Sequence, residues 1–192
     1  MHIEIKEAWK NCIRLYINPG KLTICPSIEV GAARRMLNRV LLPILAIAAV
    51  PSFFILTIDQ PLTIAVYKTI INAVSIYVGA CGVYGIGCYY VTDSPNGKPR
   101  ETYLAPLVLN CFTIYAIPIS LFYANEMHAW RYIAGILGVY YLIRTTIAGV
   151  QNCSDLEEAI KRNTTILISV TTITFPFLIQ RILNLFFNLP IS

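Results

Sequence analysis

Five long stretches of the chain are almost wholly apolar, and short polar connections separate them. The first, Val40–Ile58, has no charged residue and is bounded by Arg39 and Asp59. The second, Thr69–Val91, is entered after Lys68, and the third, Tyr103–Ala124, lies between Glu101 and Glu126. The fourth, Tyr132–Val150, is charge-free apart from Arg144, and the fifth, Thr164–Leu189, is interrupted by Arg181 alone. A helix needs about 20 apolar residues to cross ~30 Å of hydrocarbon. Within lipid, a lone segment satisfies all its backbone groups only as a helix. The pattern therefore predicts an all-α membrane protein, a bundle of five transmembrane helices.

The connections carry turn chemistry. Asp59-Gln60-Pro61 is a turn, and Asp93–Arg100 is a cluster of breakers. Residues 125–128 join the third and fourth stretches, and residues 152–162 join the fourth and fifth. In the last of these, Ser154 and Glu157 have the spacing of a capping box. Links this short make consecutive spans antiparallel neighbours.

Residues 1–39, ahead of the first stretch, read as a basic cytoplasmic segment with a helical period of their own. Over residues 3–17, Ile5, Trp9, Cys12, Ile13 and Tyr16 share one face, and Glu4, Lys6, Glu7, Lys10, Asn11 and Arg14 take most of the other. Asn18-Pro19-Gly20 ends this helix, and a second short one from about Pro26 brings Arg34 and Arg35 to the membrane. A basic amphipathic helix of this kind lies in the interface and favours anionic lipid. Trp9, Lys10, Arg14, Arg34 and Arg35 are its expected membrane contacts.

Composition agrees: 56% of residues are hydrophobic and 13% charged, where a soluble domain has roughly 25% charged residues. The distribution of Lys and Arg orients the bundle. Eleven of the 15 lie in the N-terminal segment, the second connection or the fourth. Lys68, Arg131 and Arg181 fall on the opposite side, and Arg144 lies within a stretch. Lys and Arg gather in cytoplasmic loops, so the N-terminus is expected in the cytoplasm and, after five crossings, Ser192 outside.

Of six cysteines, Cys81, Cys88 and Cys111 are in apolar runs, and Cys12, Cys25 and Cys153 are on the side assigned to the reducing cytoplasm. There is no CxxC pair, and the histidines are His2 and His128. This spacing gives no metal site, and no cofactor is expected. The first apolar run begins near Val40, too far along for a cleaved signal peptide.

Within the stretches, small and polar residues are the informative ones. Gly79, Gly82, Gly85 and Gly87 with Ala80 in the second stretch, and Gly135 and Gly138 in the fourth, allow close helix approach. These glycines read as packing positions, with the second and fourth spans sharing a contact; the alternative is a lining that offers a substrate its backbone. Pro43, Pro51, Pro106, Pro118 and Pro176 introduce kinks. Arg144 and Arg181 are the candidate functional charges, because ionisable groups inside a membrane mark functional sites by default. Their plainer role is to snorkel to the two interfaces. No Asp or Glu lies within any stretch, so a proton relay lacks its carboxylate. Asn72, Asn110, Gln180 and Asn184 are suited to bonds between helices, and the Ser and Thr residues of the fifth stretch to bonds with the carbonyl one turn back. Tyr67, Tyr103, Tyr123 and Trp130 fall near span ends, as in aromatic belts.

The sequence lacks a Walker A loop, a GxSxG elbow, an HExxH motif and a pair of buried aspartates. An enzyme is not expected, nor is a nucleic-acid-binding surface.

The order of features resembles the Yip family, the Ypt/Rab-interacting five-span membrane proteins, and especially its small bacterial inner-membrane members of the YohC type. A short amphipathic start with Trp9 leads to Asn18-Pro19-Gly20; the first span opens at Leu42-Pro43; the second is glycine-rich. The third carries Ile117-Pro118, the fourth reads Gly135-Ile136-Leu137-Gly138-Val139-Tyr140-Tyr141, and residues 152–159 precede the fifth. The resemblance covers nearly the whole chain. It implies a membrane-embedded adaptor and carries over no catalytic residue. Eukaryotic relatives of this kind act in vesicle traffic and bind small GTPases through a long cytosolic N-terminal region. The short segment of residues 1–39, without an acidic tail, departs from that pattern and speaks against GTPase binding.

Two functions follow as expectations. One is a non-enzymatic scaffold or adaptor in a bacterial inner membrane, contacting anionic lipids and protein partners or further copies of itself. The other is a small transporter or channel subunit for an anionic or small polar solute, with Arg144 and Arg181 facing it.

Overall fold

The computed structural model describes residue 17 and residues 33–91, 93, 100–124, 129–151 and 156–187; side chains at 33–39, 101, 102 and 130 lie outside the description. The described residues hold five long helices: α1 (Ala33–Asp59), α2 (Leu62–Tyr90), α3 (Glu101–Ala124), α4 (Trp130–Gln151) and α5 (Glu158–Phe186). All five are long and apolar enough to cross a membrane, so the chain is a multi-pass membrane protein.

Apart from Ile17, the amphipathic helix expected over residues 3–17, with Trp9, Lys10 and Arg14, lies outside the described residues. Arg34 and Arg35 lie in the first turn of α1, which runs without a break into the first span; the start of the short helix expected from about Pro26 lies outside the described residues.

Two helices begin earlier than the charges in their sequences imply. α2 starts at Leu62, directly after Pro61, whose fixed backbone (φ −54°, ψ 143°) turns the chain out of α1. Lys68 therefore lies inside the helix and is buried. α5 starts at Glu158, where Lys161 Nζ donates to Glu158 Oε1 at 2.9 Å across one turn. The segment read as a polar link up to Arg162 thus supplies the first turn of the span. Between α2 and α3, Arg100 ties the ends together. Its backbone N–H donates to Asp93 Oδ1 (2.9 Å), its Nη1 donates to the Val91 carbonyl (3.2 Å), and its own carbonyl accepts from Leu104 N–H (3.0 Å).

α3 is the central helix. In the most apolar window of each span, 78% of α3 residues are buried, against 33% in α1, 44% in α2, 33% in α4 and 28% in α5. α1, α2, α5 and α4 are each packed on the next; α3 packs closely on α1, α2 and α4 and only lightly on α5. Phe112, Leu104 and Val108 of α3 are fully buried and meet Leu41 and Ile44 of α1, Ile76 and Val83 of α2, Leu142 of α4 and Ile168 of α5 in one core. Large apolar side chains are exposed on the four outer helices, among them Phe54, Ile70, Ile136 and Ile182. Such a surface belongs in hydrocarbon rather than water.

Candidate functional site

The glycines mark where helices touch. A Cβ on Gly79 would lie 2.7 Å from Pro176 Cγ, and one on Gly82 would lie 2.8 Å from the Phe175 ring, both on α5. One on Gly138 would meet Pro118 Cβ at 2.8 Å, and one on Gly135 the Phe122 ring at 3.1 Å, both on α3. Gly87 is held against Leu104 of α3. Gly85 faces open space. The second and fourth spans do not share the contact expected of them. Gly79 and Gly82 of α2 pack on α5, and α3 receives Gly87 of α2 and the glycines of α4.

Below the Gly79–Pro176 contact, α2 and α5 enclose a row of polar side chains. Gln180 Nε2 donates to Asn72 Oδ1 at 3.2 Å, with both residues buried. The helices are antiparallel, so this register places Lys68 of α2 and Asn184 of α5 one turn further toward the same end. Both are buried, with 3% and 2% of their surface exposed. On the other side of the proline, Thr172 is buried with its hydroxyl lacking a hydrogen-bond partner. A buried amide pair costs less than two buried single amides, since each leaves fewer groups unsatisfied. The pair fixes the register of α2 against α5. A second link joins α3 to α4, where Cys111 Sγ and the Thr146 hydroxyl lie 3.2 Å apart and the latter also donates to the Leu142 carbonyl (2.9 Å). Thr165, Thr171 and Thr174 donate to the carbonyl four residues back, as their sequence positions imply, whereas the hydroxyls of Ser169 and Thr172, expected to do the same, are buried without a partner.

The two candidate charges are far apart and differently housed. Arg144 is exposed on the outer face of α4, beside Tyr140, Ile143, Ile147 and Gln151. Arg181 is half-buried near the end of α5, with its guanidinium carbon 5.1 Å from the Phe177 ring centre. At the end of the bundle where α5 finishes, α4 begins with another cation, Arg131, whose guanidinium carbon lies 5.6 Å from the Phe122 ring centre and 5.0 Å from that of Tyr132. In the sequence pattern Arg131 and Lys68 share a side with Arg181 and have no marked role. For Lys68 the signal was available: Leu62-Thr63-Ile64-Ala65-Val66 ahead of it continues the apolar period of the helix.

Among the described residues, no three His, Cys, Asp or Glu side chains come together. The α2–α5 row of paired amides and a buried lysine is suited to fix helix register, and the guanidiniums of Arg131 and Arg181, at rings of a different face, are equipped to bind anionic groups. Compared with known proteins, the chain matches no family model, no curated protein and no solved structure.

Proposed function

We propose that the chain is a non-enzymatic membrane scaffold or adaptor of the Yip type, lying in a bacterial inner membrane with its N-terminus in the cytoplasm and Ser192 outside. The observation that carries this reading is the closed interior. Gly79, Gly82, Gly87, Gly135 and Gly138 are each filled by a neighbouring helix, and the apolar surface is turned outward on four helices. A bundle built this way offers its outer faces and its basic N-terminal segment to lipids, to partner proteins or to another copy. Affinity capture from native membranes in mild detergent tests it. Partners that copurify with the full chain are expected to be lost when residues 1–20 are deleted. Retention of every partner by the truncated chain contradicts the adaptor role of that segment.

A second reading, a small anion transporter or channel subunit, draws on the buried Lys68, Asn72, Gln180 and Asn184 row, which puts a cation and three amides within the spans. Arg144 faces away from this row, so it lines a pathway only between copies. Lys68→Met is expected to abolish anion flux in reconstituted vesicles if this reading holds. Flux by the unaltered chain no greater than that of empty liposomes removes it.

A further inference from the structure

Between α4 and α5, with α3 as its floor, a groove of about 640 Å³ opens sideways. Tyr132, Ile136 and Tyr140 form one wall, Ile173 and Phe177 the other, and Phe122 contributes to the floor. The lining is nearly all apolar, and the rim residues Tyr132, Ile136, Tyr140 and Phe177 are exposed. From Tyr132 to Tyr140 the groove runs about 12 Å along α4.

One end of this groove is cationic. Arg131 stacks on Phe122 and Tyr132, and Arg181 stacks on Phe177. All three rings line the groove, so both guanidiniums stand at the same end of it, where α4 begins and α5 ends. The other end, at Tyr115 and Tyr140, is apolar. A guanidinium carries its N–H donors in a planar fork, the geometry that grips a phosphate bidentately. The Arg131 Nη2 donor also approaches the Tyr132 hydroxyl at 3.4 Å.

A long apolar slot in the hydrocarbon, closed at its interfacial end by two cations, has the polarity of one molecule class: an amphiphile with an acyl chain and an anionic head. We propose that the groove is a discrete binding site for one anionic phospholipid, with an acyl chain between α4 and α5 and its phosphate on Arg131 and Arg181. The site needs only the membrane location of the bundle and stands apart from the adaptor and transporter readings. It is also distinct from the diffuse attraction to anionic lipid expected of the basic N-terminal segment.

The test uses the full chain in phosphatidylcholine nanodiscs doped with phosphatidylglycerol carrying a photoreactive group in its acyl chain. Equally labelled phosphatidylcholine is the control, and adducts are mapped by peptide mass spectrometry. Adducts are expected on the groove walls of α4 and α5. The anionic lipid should label them roughly 30-fold more than the control, from two arginine contacts, and Arg181→Gln should reduce the preference about five-fold. Thr174→Trp, at an exposed position that lines the groove, should remove adducts of both lipids. Equal labelling by the two lipids overturns the proposal, and so do adducts spread evenly over α1 and α2. Cross-links between copies through a cysteine at Ile136, with lipid adducts missing from the groove, assign it to a second chain instead. The lipid ratio on the unaltered chain decides the matter even if a variant fails to fold.

Discussion

Two glycines six residues apart on α2 have different surroundings, and they should respond differently to the same change. Gly79 lies against Pro176, a rigid ring in the helix backbone that cannot swing aside, whereas Gly85 faces open space. Gly79→Leu should destabilise the bundle by about 1–3 kcal/mol through overpacking, and Gly85→Leu should cost well under that. Loss of monodisperse protein on heating in mild detergent measures both. Equal effects would mean that α2 and α5 do not cross at this point. The Asn72–Gln180 pair gives a second residue-scale prediction. Replacing either amide by Leu leaves the other buried without its partner, at a cost of about 1 kcal/mol, while the double substitution should cost less than the sum of the two. Additive losses in a denaturant titration would show that the pair is not coupled. Glycine and amide positions were readable from residue type. Their partners were not, because type says that a position can pack or bond and tertiary register decides with what. Lys68 departs from the sequence pattern for a related reason: charge marks a span end in most sequences, and here the helix buries it.

At the scale of elements, the five helices were legible because greasy runs of this length have one stable form in lipid. Their ranking was not. Mean hydropathy over the spans puts α1 highest at 2.4, yet it is one-third buried, while α3, at 1.8, is 78% buried. Facing lipid and facing protein select the same apolar residues, so hydropathy cannot tell a central helix from a peripheral one. Burial makes the distinction testable. Phe112→Ala on α3 should destabilise by about 3 kcal/mol, because it removes packing atoms with no lipid to replace them, and Ile136→Ala on α4 should be near neutral. A matching loss from both, read by the same thermal assay, would contradict the central position of α3. The start of α5 shows another limit. Lys161 and Arg162 looked like a loop, but the Lys161–Glu158 pair lets the first turn carry charge. The groove between α4 and α5 left no trace in the sequence at all, since its walls come from three helices and its two arginines lie 50 residues apart.

For the whole molecule, one assertion supports the rest: the five helices each cross the bilayer, in alternating directions. Antiparallel register is visible in the contacts, with Gly138 against Pro118 and Asn72 against Gln180. The direct measurement is single cysteines placed at Gln60, Arg100, Ala129 and Glu157 in a cysteine-free chain, probed in intact and inverted vesicles with a membrane-impermeant thiol reagent. Positions 60 and 129 should label from one side only, and positions 100 and 157 from the other. Labelling of 60 and 100 from the same side would mean that α2 does not cross, and the account of the bundle would fail with it.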